Sequence, residues 1–593
     1  MTTVIGIDLG TSNCAMAVVE GDGVPKLQPI RQLLGSGLEG EADSLPSALY
    51  LTNQAERSQA SMLPLNDSPY WFGKDALMRG TNAPDRVVLS AKSWLALSAV
   101  DRQDNILPWK SDTANKLSPV SASSLLISYL LETFEKNQQK KSADVDSLVV
   151  TVPASFDEVA RQLTVEAIER AGAKATLLEE PLAAVYSWLA NLGERWRDQL
   201  APGDTILVVD VGGGTTDLSL IIANDEGGHL QLERLAVGRH LLVGGDNMDL
   251  SIAYNLKKKL LDQGQALDSW QFQSMVIESR FAKETLLADQ APSEVTFSIA
   301  SKSSDIFASS LTISVTQEEI KSWLLEGFFP ETTLMARPRY RQKAGIQEVG
   351  LQYESEPEIP RHISQFLCSY QEPGADKALS GGVTWLKPTK ILFNGGVFKS
   401  RLIRERVLDV LASWGAQTEE LSGVDYDSAV AKGAAHYGEL KRSGKGHRIA
   451  AGTARSYYLG LEEAAMAVPG METDIKGLCI VPQGTEEGTS LTLPQRTFGL
   501  VTGSPVEFRF FSSLARSEDH MGSVVDDAAT SLDESNSIRM TLEEGNPGEM
   551  IPVTLKSVVN EVGTLDLMMC ALGSERSWKL EFDLRGTDEA IYG

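Results

Sequence analysis

Two stretches of this 593-residue chain carry an aspartate at the end of a short apolar run and then turn on glycine. Ile5-Gly-Ile-Asp8 leads into Gly10-Thr11-Ser12-Asn13, and Ile206-Leu-Val-Val-Asp210 leads into Gly212-Gly213-Gly214-Thr215-Thr216. Glycine at positions of close approach lets backbone N–H groups point at phosphate oxygens with no Cβ in the way. Thr11, Ser12, Thr215 and Thr216 add hydroxyl donors. Asp8 and Asp210, at strand ends facing one place, suit a hydrated Mg²⁺. A single Asp-Gly turn is common in plain hairpins. Two of them, with threonine in matching places, point to a phosphate site.

The elements that must hold these residues are legible. Apolar runs on both sides of each turn (4–8 with 14–19, 206–210 with 218–222) read as β-hairpins, so one hairpin is written twice. That repeat predicts two related α/β lobes, each lending a hairpin to a shared cleft. Ser118-Pro119 opens a helix, residues 148–152 are a buried strand, and Ser155-Phe-Asp-Glu158 is a capping box opening a helix through Arg170. Residues 390–393 form a strand broken at Gly395-Gly396, before a helix that begins near Ser400. Residues 429–435 form a small-residue helix suited to close packing. After about residue 450 short period-two segments (505–510, 577–584) predict an antiparallel β domain, behind a Gly-, Ser- and Lys-rich linker at 441–452. The tail after Arg585 is too short for a helical subdomain.

Composition narrows the partners. Of the residues, 42% are hydrophobic and 23% charged, the balance of an ordinary globular protein. The 80 acidic against 54 basic side chains give a net charge of -26, which repels nucleic acid. Four cysteines without a C-x-x-C spacing read as reduced thiols. Six scattered histidines offer no metal-ligand pair. No signal peptide precedes Asp8 and no apolar run reaches membrane-spanning length, so a soluble, cytoplasmic protein is expected. Gly438 to Gly446 approaches a Walker loop but has the wrong spacing.

An ordered series of motifs carries a resemblance. Ile5-Gly-Ile-Asp-Leu-Gly-Thr11, Val149-Val-Thr-Val-Pro-Ala-Ser155, Glu180-Pro181-Leu-Ala-Ala184, Asp210-Val-Gly-Gly-Gly-Thr-Thr-Asp217, Gly244-Gly245-Asp-Asn-Met-Asp249 and Asn394-Gly395-Gly396 follow one another. Together they resemble the nucleotide-binding domain of the seventy-kilodalton heat-shock chaperones, over about the first 440 residues.

The resemblance implies an actin-like, two-lobed ATPase domain of duplicated ribonuclease-H-like α/β lobes, residues 1–204 and 205–440, followed by the linker and a substrate-binding-like β domain at 453–593. It implies Asp8 and Asp210 as Mg²⁺ holders and Lys92, Glu180 and Asp217 as catalytic residues. ATP or ADP would be bound by Gly10, Thr11, Ser12, Asn13, Gly212, Gly213, Gly214, Thr215, Thr216, Gly244, Gly245, Asp246, Lys283, Gly395, Gly396 and Asp427. Arg280, Leu287 and Val397 stand where the family has polar adenosine-contacting residues. An insertion at about 326–382 and Ser443-Gly-Lys-Gly-His447, in place of an acidic-leucine linker, depart from the family. The expected function is slow Mg-ATP hydrolysis coupled to a peptide or protein client, with a possible cochaperone or nucleotide-exchange partner. A nucleotide-gated scaffold for one dedicated protein is the alternative, and a metabolite kinase on the same fold a lesser one.

Overall fold

The computed structural model describes residues 2–580 except 22, 35–37, 54–55, 57–62, 66, 98–99, 110, 112–114, 227–228, 240, 300–310, 340–350, 352, 370–384, 427, 451, 454, 463–474, 487, 504, 514–515, 517, 535–537, 542–548, 561–564 and 575. It is a mixed α/β structure. Much of the 326–382 segment and the 581–584 end of the expected last strand therefore fall outside the described residues.

Both hairpins form. Thr3–Leu9 runs antiparallel to Asn13–Glu20, with Leu9 opposite Cys14, and Thr205–Val211 runs antiparallel to Thr216–Glu226, with Asp210 opposite Asp217. Each first strand has a parallel partner on its other side. Ser147–Val152 lies beside Thr3–Leu9 with Val150 opposite Ile7, and Lys390–Asn394 lies beside Thr205–Val211 with Asn394 opposite Asp210. The two sheets thus share one layout, hairpin plus parallel neighbour, and both central strands are apolar runs buried on both faces.

Two helices fill the space between the sheets. Glu180–Leu192 and Ala429–Ser443 share one core with Val149 and Leu178 from the first sheet and Ile206, Val208, Ile221 and Leu392 from the second. Small residues make the approach possible. A Cβ on Gly433 would lie 1.7 Å from the Ala183 carbonyl oxygen, and one on Gly6 would lie 2.2 Å from the Ala435 nitrogen. The Ala429–Ser443 helix runs two residues past Lys441, so the start of the expected linker is helical.

Its remainder is not a free tether. Ile449 N–H donates to the Tyr186 hydroxyl at 3.0 Å. Ala450 N–H donates to Leu232 O at 2.9 Å and Ala450 O accepts from Arg234 N–H at 3.0 Å, adding one bridge to the edge strand His229–Val237. Beyond it, Ser456–Glu462, Ile475–Val481 and Phe510–Ser513 pair in one antiparallel sheet, and Ser490–Thr502, Glu549–Val559, Leu565–Ala571 and Ser577–Leu580 in another. Side chains of these strands, among them Leu555 and Leu567, join a hydrophobic cluster with Ala160, Leu163 and the first sheet. Among the described residues no helix is long and apolar enough to cross a membrane.

Candidate active site

The two hairpin turns meet. A Cβ on Gly213 would fall 1.5 Å from Ser12 Oγ, so only glycine fits where the second turn touches the first. Asp8 is the last residue but one of the strand before one turn, and Asp210 holds the same place in the strand before the other. The Thr151 hydroxyl donates to Asp8 at 3.4 Å, and the Asn394 amide donates to Asp210 at 2.7 Å. Gly395, at φ +90, bends the chain away directly after Asn394, where a Cβ would sit 2.8 Å from Asp210 Oδ1.

Glu180 is the first residue of its helix, with Pro181 behind it, the position where proline's missing N–H costs nothing. Its carboxylate pairs with Lys92, a buried ammonium on the short Ala91–Trp94 helix. Asp217 accepts a hydrogen bond from Ser155 Oγ at 2.8 Å. Ser155 is therefore a site residue and does not cap its helix. Asp157 does, accepting from Ala160 N–H at 2.8 Å.

The electrostatics follow from this crowding. Burial, and then the Glu180 carboxylate, push Asp8 up to about 7. Burial, Glu180 and Asp217 push Asp210 well above the usual carboxylate range. Burial raises Asp217 too, against the pull of Ser155 and Lys92. Burial works against the Lys92 ammonium, but Glu180 and Asp8 outweigh it and hold it protonated. Carboxylates that raise one another in this way ask for positive charge between them. Among the described residues no three His, Cys, Asp or Glu converge as a metal-binding group. Two hard oxygen donors, Asp8 and Asp210, suit a small divalent cation that keeps most of its ligands as water and phosphate.

A cleft of about 570 Å³ opens beside this cluster, within the range of small-molecule sites. Asp8, Gly10, Thr11, Ser12, Asn13, Glu180, Asp210, Gly212, Gly213, Thr215, Gly245, Asp246, Lys283, Gly395 and Gly396 line it. Gly396 meets nothing within 4 Å, leaving backbone open to a ligand. The volume, the glycine wall and the two carboxylates fit a Mg-nucleotide.

Some expected contacts are not presented to the cleft. Thr216 is fully buried, its hydroxyl donates to Val243 O at 2.8 Å and its N–H to Leu241 O, so strand pairing consumes it. The Gly245 and Asp246 N–H groups donate to Gly212 O and Gly213 O, which ties the second turn to the Gly245–Asp262 helix. Gly214 and Gly244 pack behind the wall against Thr11 and the Gly213 carbonyl. Asp427 lies outside the described residues.

The model of the Hsp70 protein family matches residues 76–326, which carry Lys92, Glu180, Asp210 and Asp217. A chaperone protein HscA homolog of Shewanella sediminis is 29% identical over 307 residues, 49% of this chain and 42% of that protein. The HscA homolog of Acinetobacter baylyi is 28% identical over 298 residues, 48% and 42% of the two chains. Chaperone protein DnaK of Psychrobacter cryohalolentis is 30% identical over 253 residues, 42% and 36%. Over residues 76–326 this chain is similar to the Hsp70 family. Its match spans less than half the length of those curated relatives.

Several residues at the site have no role that the sequence motifs assign. Asn394 and Thr151 orient the two aspartates, and Ser155 orients Asp217. The register signal for Asn394 was available, since it ends a strand parallel to the one that ends near Asp210. Glu284, Lys399 and Tyr426 also line the cleft.

Proposed function

We propose that the chain is an ATP-dependent chaperone-like ATPase, with an actin-like domain of two lobes at 1–204 and 205–440 and a client-binding β domain at 453–593. The observation that carries this reading is that Glu180 lines the glycine-walled cleft together with Asp8 and Asp210, and is paired with Lys92, which like Asp217 is buried and does not line the cleft. Phosphoryl transfer to water needs charge neutralisation and a placed nucleophile more than covalent chemistry. Asp8 and Asp210 would hold Mg²⁺, which when bound supplies charge neutralisation to the phosphates. Lys92 and Glu180 hold a proton-bearing ammonium and an accepting carboxylate in direct contact, and Glu180, which lines the cleft, can accept a hydrogen bond from a water placed there. Glu180 and Asp8 keep the ammonium charged, and Asp217, steadied by Ser155, adds to them.

Coupling to the β region is supported by a charged relay. Glu179, directly before Glu180, pairs with Arg161 at 2.7 Å and with Arg234, and Arg234 also donates to Gly452 O in the linker. A signal from the linker to the catalytic carboxylate thus has a physical carrier, and the client would be an extended apolar peptide bound by strand-like contacts. The test is ATP turnover by wild type and Lys92→Ala. Turnover in wild type that collapses in the variant supports the reading, and equal appreciable turnover in both removes Lys92 from it.

A further inference from the structure

Arg280 takes no part in the proposed hydrolysis, yet it lines the cleft beside Ser12 and Asp246. Asp246, on the first turn of the Gly245–Asp262 helix, and Asp249 lie three residues apart, and Arg280 and Lys283 lie three apart on Ser269–Leu286. At that spacing each pair occupies one helix face. The faces match: Arg280 Nη2 is 2.6 Å from Asp246 Oδ1, and Lys283 Nζ is 2.6 Å from Asp249 Oδ1. Arg280 Nε reaches Asp249 Oδ2 at 3.5 Å.

The pairing crosses the cleft. Arg280 Nη2 donates to Ser12 Oγ at 3.2 Å, Ser12 Oγ donates to Asp246 at 3.2 Å, and Ser90 Oγ donates to Asp246 Oδ2 at 3.0 Å. A guanidinium has only protons to give. Ser12 must therefore accept from Arg280 and send its own proton to Asp246. So Ser12, expected to donate to phosphate, is instead committed to the clasp. The network joins the first hairpin turn, the residue that precedes the Lys92 helix, and both helices of the second half.

Charge makes this consequential. Asp246 lines the same wall as Gly213 and Thr215, where a polyphosphate would lie. An unpaired carboxylate there repels the ligand, whereas the four paired groups sum to zero. We propose that Arg280 is a positioning residue for the polyphosphate. It cancels Asp246 and clasps the first turn to the helix pair, which lets the wall accept an anionic ligand. The inference rests on the nucleotide reading of the cleft.

Calorimetric binding of ATP, ADP and adenosine to the full chain tests it, with Arg280→Gln, Arg280→Lys and Arg280→Gln/Asp246→Asn as variants. Arg280→Gln should weaken ATP and ADP roughly tenfold or more while leaving adenosine within about twofold, because only the phosphates meet the freed carboxylate. Arg280→Lys should retain most of the ATP affinity. The double variant should recover ATP affinity to within about threefold of wild type, which a merely misfolded Arg280 variant could not do. Unchanged ATP affinity in Arg280→Gln, an equal loss for adenosine, or no recovery in the double variant would overturn the role of Arg280 alone. Wild type that binds none of the three ligands would overturn the nucleotide reading itself.

Discussion

Lys92 is a surface-type residue buried to 5% exposure and held charged by a carboxylate neighbour. Replacing it with alanine removes the cation nearest Glu180. We expect turnover to fall by about 100-fold or more, with ATP affinity changed only a few-fold, as for loss of a transition-state contact. Single-turnover hydrolysis alongside calorimetric binding separates the two quantities. Glu158 gives a second test at this scale. It accepts the Leu565 N–H at 2.7 Å, and burial pushes it up to about 8 from the ordinary 4.5. The folded chain therefore keeps a proton that the unfolded chain releases. That contribution is whole below the unfolded value and is lost as pH rises towards 8. Glu158→Gln preserves the acceptor without the titration. Between pH 5 and pH 8 wild type should lose about 1–3 kcal/mol more stability than the variant, by denaturant unfolding. Equal losses would mean Glu158 is ionised in the fold.

The hairpins were legible because their signal is local: an apolar run, a glycine turn and a second apolar run. The small-residue helix at 429–435 was legible for the same reason, though not its run to Ser443, and Gly433 against Ala183 is where that smallness is used. Gly433→Ala should cost about 1–3 kcal/mol or more, read as a lowered melting temperature, because backbone on both sides has to move. Other features depended on distant partners. Ser155 read as a cap, but Asp217 draws its hydroxyl away. Thr216 looked like a phosphate donor, but pairing with residues 241 and 243 buries it. The 444–452 stretch carried no strand pattern, and its bridge to His229–Val237 comes from the waiting edge of the sheet. Arg234 ties that bridge to Glu179. Arg234→Ala should cost about 3–5 kcal/mol as a broken buried ion network, and should speed amide hydrogen exchange at residues 449–452. Unchanged exchange there would show that the linker is held without Arg234.

At the scale of the whole molecule, one hydrophobic cluster runs from the first sheet into the strands after residue 456, and Glu158 bonds across the same boundary. No periodicity within either region announces that contact, because each side reads as an ordinary amphipathic surface. The net charge of -26 is likewise a whole-chain property, and it leaves the paired cations of the cleft as local exceptions. If the cleft takes Mg-ATP and the β region holds a client, the two must share one free energy. The most direct measurement follows the dissociation of a labelled, permanently unfolded polypeptide from the full chain, in Mg-ATP and in Mg-ADP. The account predicts binding in both, with release at least several-fold faster in ATP. Identical release rates, or no binding in either nucleotide, would contradict it.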